Sequence, residues 1–124
     1  MRTPALRILA VDNEPSVTFS LRYIFTGSRY EFSAVENGDA ALARLDSGSE
    51  RYDIIIVDQK MPHMTGVELV EEMRKRGITS KVMVVSAHLS SEVRAAYERM
   101  DVHVMLPKPF DVGELRSAVE QLAA

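Results

Sequence analysis

Cysteine is absent from this chain of 124 residues, which excludes disulfides, thiolate metal sites and thiol catalysis. Also missing is any apolar run near the ~18 residues of a membrane span. The N-terminal Met1-Arg2-Thr3-Pro4-Ala5-Leu6-Arg7 has no apolar centre of the kind a signal peptide carries. A cytoplasmic protein is therefore the expectation. Nor is there an excess of basic residues: 15 Lys and Arg stand against 18 Asp and Glu, for a net charge of −3. The one basic cluster, Arg74-Lys75-Arg76, precedes Gly77, where cations favour a helix C-terminus. Nothing in this pattern predicts direct contact with nucleic acid or a membrane. Repeats, low-complexity segments and internal linkers are lacking as well. An apolar fraction of 46% is ordinary for a globular protein, and the length predicts one domain over 1–124 with a core of its own.

What is present begins with Ile54-Ile55-Ile56-Val57-Asp58. Four β-branched residues in a row cannot alternate between core and solvent. They predict a strand buried on both faces, inside a parallel sheet covered by helices. Asp58 ends that strand, and in open parallel sheets the C-terminal strand ends line the binding crevice. Around it the chain reads as strand and helix in alternation. Arg7–Val11 is a first strand, followed by a helix from Pro15 with Asn13 or Glu14 before it. Tyr30–Val35 alternates like an edge strand, and Asn37 turns into a short helix. The central strand spans roughly Tyr52–Val57, and Val67, Val70 and Met73 mark the third helix. Lys81–Ser86 is the fourth strand, and Ser90 or Ser91 caps a helix carrying Val93, Tyr97 and Met100 as core. Val102–Leu106 is the fifth strand, and Asp111-Val112-Gly113-Glu114 has capping-box spacing before the last helix. Five such units imply an α/β doubly wound five-stranded parallel sheet, order 2-1-3-4-5, with helices on both faces.

The strand ends then share one rim: Asp12-Asn13-Glu14, Asp58, Ser86 and Lys108. Carboxylates, a hydroxyl and an ammonium fit a divalent cation and a phosphoryl group, since Mg²⁺ takes hard oxygens and lysine binds phosphate as a point charge. A dinucleotide site needs Gly-x-Gly-x-x-Gly after the first strand, where acids stand here. A flavodoxin needs a Ser, Thr or Gly phosphate cradle at the same place. His63, His88 and His103 show no metal-ligand spacing.

Over its whole length the chain resembles a response-regulator receiver domain, the flavodoxin-like switch of two-component phosphorelays. The resemblance rests on the acidic cluster after strand one, Asp58 with Met61-Pro62 and Met64-Thr65-Gly66, Ser86-Ala87, and Lys108-Pro109-Phe110, in order and spacing. It implies that Asp58 is the phosphoacceptor, supplied by a sensor histidine kinase, a histidine phosphotransfer protein or a small phosphodonor. It implies Mg²⁺ on Asp12, Asn13, Asp58 and the backbone carbonyl of Lys60, and a phosphoryl group met by Lys108 and Ser86. A cis Lys108-Pro109 bond is implied too, as is an output surface on the fourth helix, fifth strand and fifth helix. That surface would meet a downstream protein or a second copy of the chain.

Three places depart from the family pattern, one of them Asp101-Val102, where Gly-Ala is usual before the fifth strand. Asn13 stands where a second acid is usual, which predicts weaker Mg²⁺ binding unless Glu14 compensates. Met105 stands where an aromatic residue usually swings inward, which predicts a softer switch. Lys60 and His88, each two residues past a site residue, are placed to tune loss of the phosphoryl group. The expected protein is a signalling receiver rather than a conventional enzyme, at most promoting its own phosphorylation and dephosphorylation, and no output domain follows the last helix. The rival reading is a degenerate receiver that binds partners without phosphorylation. An aspartate-nucleophile phosphatase would need a second Asp where Lys60 stands.

Overall fold

The computed structural model describes residues 4–48 and 51–124; residues 1–3 of the expected N-terminal lead-in lie outside them. Five strands and five helices alternate: β1 (Leu6–Val11), α1 (Pro15–Ile24), β2 (Tyr30–Val35), α2 (Gly38–Asp46), β3 (Ile54–Val57), α3 (Gly66–Lys75), β4 (Lys81–Ser86), α4 (Ser91–Glu98), β5 (Val104–Pro107) and α5 (Val112–Ala123). The strands are all parallel, in the order β2-β1-β3-β4-β5. β3 therefore sits in the middle, as its unbroken apolar run requires.

Alternate residues of each strand feed two separate cores. Leu9, Val11, Ile55, Val57, Val82 and Val84 point to one face, where Leu42 of α2, Leu69, Val70 and Met73 of α3 and Tyr97 of α4 cover them. Ile8, Ala10, Ile54, Ile56, Met83 and Val85 point to the other, under Leu21 and Ile24 of α1 and Leu115 and Val119 of α5. Each large side chain withdrawn from water in this way contributes roughly 1.5–3 kcal/mol. Edge strand β2 has no fully buried residue, matching its period-two alternation.

The helix starts are set by side chains that accept the free N–H groups of the first turn. Asn37 accepts from Ala40, Ser90 from Val93 and Asp111 from Glu114. Thr65 and Glu68 form a reciprocal capping box. Each such cap is worth about 1 kcal/mol. α1 differs: Pro15 occupies its first turn, and its cap residue, Glu14, makes no side-chain cap bond. Gly77, at φ 74°, turns the chain after α3 in a conformation that costs glycine nothing.

Three strands have ends that differ from the sequence expectation, β1 by a single residue at Leu6. β3 starts at Ile54; ahead of it the Asp53 backbone still bonds to Arg7 and Lys81, while its carboxylate takes the Arg7 N–H. β5 starts at Val104 because Val102, although buried, folds back to donate its N–H to the Tyr97 carbonyl. β5 runs on to Pro107, a residue without an N–H that an edge strand tolerates.

Candidate functional site

Parallel registration brings the strand ends to one rim. Val11 lies beside Val57, Val57 beside Val84, and Ser86 beside Pro107. The residues that follow are pinned by the continuing ladder: Asp58 donates its N–H to the Val11 carbonyl at 3.0 Å, Asp12 to Val35 at 3.2 Å and Lys108 to Ser86 at 3.1 Å. The Lys108-Pro109 peptide is cis.

At the centre stands the Lys108 ammonium. Its Nζ lies 2.7 Å from Glu14 Oε1, 2.9 Å from Asp12 Oδ2 and 3.2 Å from Asp58 Oδ2. Asp12 and Asp58 are 5% and 3% exposed, whereas Glu14 opens to solvent. Carboxylate oxygens of the three acids fall within 4.8 Å of one another. Three carboxylates thus share one ammonium, and two of them sit where water screens little. Burial raises the Asp12 carboxyl above its ordinary value; the Glu14 N–H and Lys108 oppose that, and the Asp58 charge adds to it. Burial alone would lower the Lys108 ammonium, but its bonds to Glu14 and Asp12 and the charges of Asp12 and Asp58 push it up instead. Glu14 is held low, first by its bond to Lys108 and then by the ammonium charge.

Asp58 Oδ1 is buried with no hydrogen-bond partner among the described residues. A buried acceptor without a donor, in a cluster already rich in negative charge, is matched by a cation. The donor set is all hard oxygen, the set that suits Mg²⁺. A cleft of about 390 Å³ opens beside it, walled by Asn13, Glu14, Asp58, Lys60, Met61, Pro62, Ala87, His88 and Lys108.

The structure therefore gathers Asp12, Asp58 and Lys108 in direct contact. Asn13 and Lys60 form exposed parts of the wall. Ser86, 1% exposed, accepts the His88 N–H at 3.1 Å, and the exposed His88 faces the cleft. Met105 is half-buried and packs on the same core as Tyr97.

Sequence reasoning left the direction of Glu14 open; its carboxylate turns to Lys108 instead of capping α1, while its N–H goes to Asp12 Oδ1 at 2.9 Å. It missed Gln59 altogether. The Gln59 carbonyl accepts the Gly66 N–H at 2.9 Å. Its amide oxygen accepts both the Val67 N–H at 3.0 Å and the Tyr97 hydroxyl at 2.6 Å. Adjacency to Asp58 was the only signal for Gln59.

A second groove, of about 810 Å³, adjoins the cleft and shares Glu14, Ala87 and Lys108 with it. Its apolar wall includes Phe19 and Tyr23 of α1 and Val112 of α5, the three large hydrophobic residues most open to solvent among the described residues.

The family model for the response regulator receiver domain matches residues 8–120. A response regulator receiver protein of Anaeromyxobacter is 34% identical over 106 residues, 86% of this chain and 44% of that protein. The sporulation initiation phosphotransferase F of Bacillus subtilis is 27% identical over 115 residues, 93% of this chain and 91% of that one. The chain spans less than half the length of several of the curated relatives it matches, the Anaeromyxobacter protein among them. Among solved structures, the response regulator TrrA of Thermotoga maritima, in complex with Mg²⁺ and BeF, has a TM-score of 0.80 and 32% identity, covering 94% of this chain and 98% of its own. No helix among the described residues is long and apolar enough to cross a membrane.

Proposed function

The chain belongs to the response regulator receiver domain family, and from that premise we propose that it is a phosphoacceptor switch with Asp58 as the acceptor. The donor is a phosphohistidine on a sensor kinase or phosphotransfer protein, or a small phosphodonor. The observation that carries this reading is the Lys108 ammonium bridging Asp12, Glu14 and Asp58, beside a buried Asp58 oxygen that lacks a donor.

An Asp58 carboxylate oxygen attacks the phosphorus. The P–N bond of phosphohistidine breaks as the P–O bond forms, and the leaving nitrogen keeps the electron pair and takes up a proton. Asp12, Asn13, Asp58 and the Lys60 carbonyl would hold Mg²⁺, with the Glu14 carboxylate near enough to make up for the uncharged Asn13 amide. When bound, Mg²⁺ neutralises charge between phosphoryl and carboxylate oxygens. Lys108 leaves Glu14 and Asp12 for a phosphoryl oxygen, and the Ser86 hydroxyl donates to another. Lys60 and His88, on the wall of the cleft, set how readily water reaches the phosphorus. Receiver domains are signalling proteins rather than conventional enzymes, so the product is a state: new charge at Asp58 biases α4, β5 and α5 towards a downstream partner. The groove beside α1 shares its rim with the cleft and offers a protein donor an apolar seat.

Intact-mass analysis after acetyl phosphate treatment, with and without Mg²⁺, tests this for the native chain and Asp58→Asn. One added phosphoryl group that needs Mg²⁺ and vanishes in the variant is the expected result. A folded native chain that gains no phosphoryl group, and binds no beryllofluoride, would instead be a phosphorylation-independent interaction module.

A further inference from the structure

α4 is held to the body of the protein by little. Tyr97 is its single buried residue, fully shielded from solvent, while Val93 and the following Met100 are only partly covered. A buried tyrosine hydroxyl needs a partner, and many find one on an unremarkable carbonyl. This one finds the residue next to Asp58.

The Tyr97 hydroxyl donates to Gln59 Oε1 at 2.6 Å, and the same oxygen accepts the Val67 N–H at the start of α3. Both acceptor sites of that amide oxygen are thereby used. The hydroxyl also lies against the backbone of the turn. A Cβ added to Gly66 would stand 2.2 Å from it and 2.6 Å from the Asp58 carbonyl oxygen. Burial and the Asp58 charge both raise the phenol above its ordinary value, so it stays protonated as a donor. Met105, on the same core, has no polar hydrogen to offer Gln59.

We propose that Tyr97 is a positioning residue: through Gln59, its hydroxyl ties the turn that carries Asp58 to α4, so that a change at Asp58 moves both. The inference rests on Asp58 being the phosphoacceptor, and it adds the route by which α4 learns of it. The hydroxyl takes no part in phosphoryl transfer. It sets the geometry of Gln59, and α4 follows because no other buried side chain of that helix holds it in place.

The test uses the whole chain with Mg²⁺ and beryllofluoride, a phosphoryl mimic, read by amide ¹H–¹⁵N spectra. In the native chain, beryllofluoride is expected to shift the amides of Gln59 and Lys60 and those of Ser91–Glu98. In Tyr97→Phe, which keeps the ring, the Lys60 shift persists while the α4 shifts fall about fivefold, the population change that one lost hydrogen bond corresponds to. Gln59→Ala cuts the same bond from the other end and is expected to uncouple α4 likewise, even if one of the two variants folds poorly. α4 shifts of native size in the folded variants would overturn the proposal. Absence of any beryllofluoride shift in the native chain would overturn the assignment of Asp58 first, and this inference with it.

Discussion

Ionic groups are arranged in opposite ways at the two ends of the sheet. Where the strands begin, cations are matched or outnumbered on open surface: Arg76 with Asp46 and Glu72, Arg29 with Glu120, each side chain at least a third exposed. Tyr30 adds its hydroxyl to Glu120 at 2.8 Å. Where the strands end, one ammonium that is 11% exposed serves three carboxylates, two of them buried. Water screens the first set, so each pair adds little to stability. The second set has the charge and burial to bind a cation and little reason to exist for stability. Ion pairs alone therefore do not mark a site; a buried imbalance of charge does.

The sharpest way to break the comparison is Lys108→Met. With Asp12 and Asp58 left buried and uncompensated, urea unfolding at neutral pH is expected to show a loss of about 3 kcal/mol. Added Mg²⁺ is expected to restore part of it. The pH dependence has a definite sign. Because the Lys108 ammonium is raised in the folded state, its contribution is complete below the ordinary lysine value of 10.5 and disappears as pH rises through the folded value. The gap between native and Lys108→Met stability is therefore expected to hold flat through neutral pH and to narrow only in strong alkali. A gap no larger than a surface pair's would mean that the two ends do not differ.

Packing sharpens the same contrast at a smaller scale. Gly66→Ala drives a methyl group into the Tyr97 hydroxyl and the Asp58 carbonyl, and calorimetry is expected to show a loss of about 1–3 kcal/mol. Smallest of all is Arg76→Ala, on the exposed side. Its cost in urea unfolding is expected to be the smallest of the three and to shrink in high salt, whereas the Lys108→Met penalty resists salt because burial, not distance, sets it.

The fold was legible because its signals are local. The β-branched run of β3, the alternation of β2 and the small polar residues ahead of the helices each sit within a few positions of the element they specify. Asp58 and Lys108 were legible through the strands they terminate, once the sheet order was known. The starts of β3 and β5 were not, because the Asp53 carboxylate takes the N–H of the distant Arg7 and Val102 turns back to the Tyr97 carbonyl. Glu14 was read as a helix start and as an acid of the rim, but its direction was not legible, since its partner lies 94 residues away. Tyr97 reads as core and is core; that its hydroxyl finds Gln59, 38 residues earlier, leaves no periodic trace.

The missing Cβ at residue 66 has a consequence for how this sequence can change. Glycine there and tyrosine at 97 occupy one volume between them, so neither position is independent of the other. A library randomised at both positions would return coupled pairs, with a larger residue at 66 surviving only beside a smaller one at 97. Loss of the tyrosine would lift only part of the demand for glycine, because a Cβ at 66 would still stand 2.6 Å from the Asp58 carbonyl oxygen.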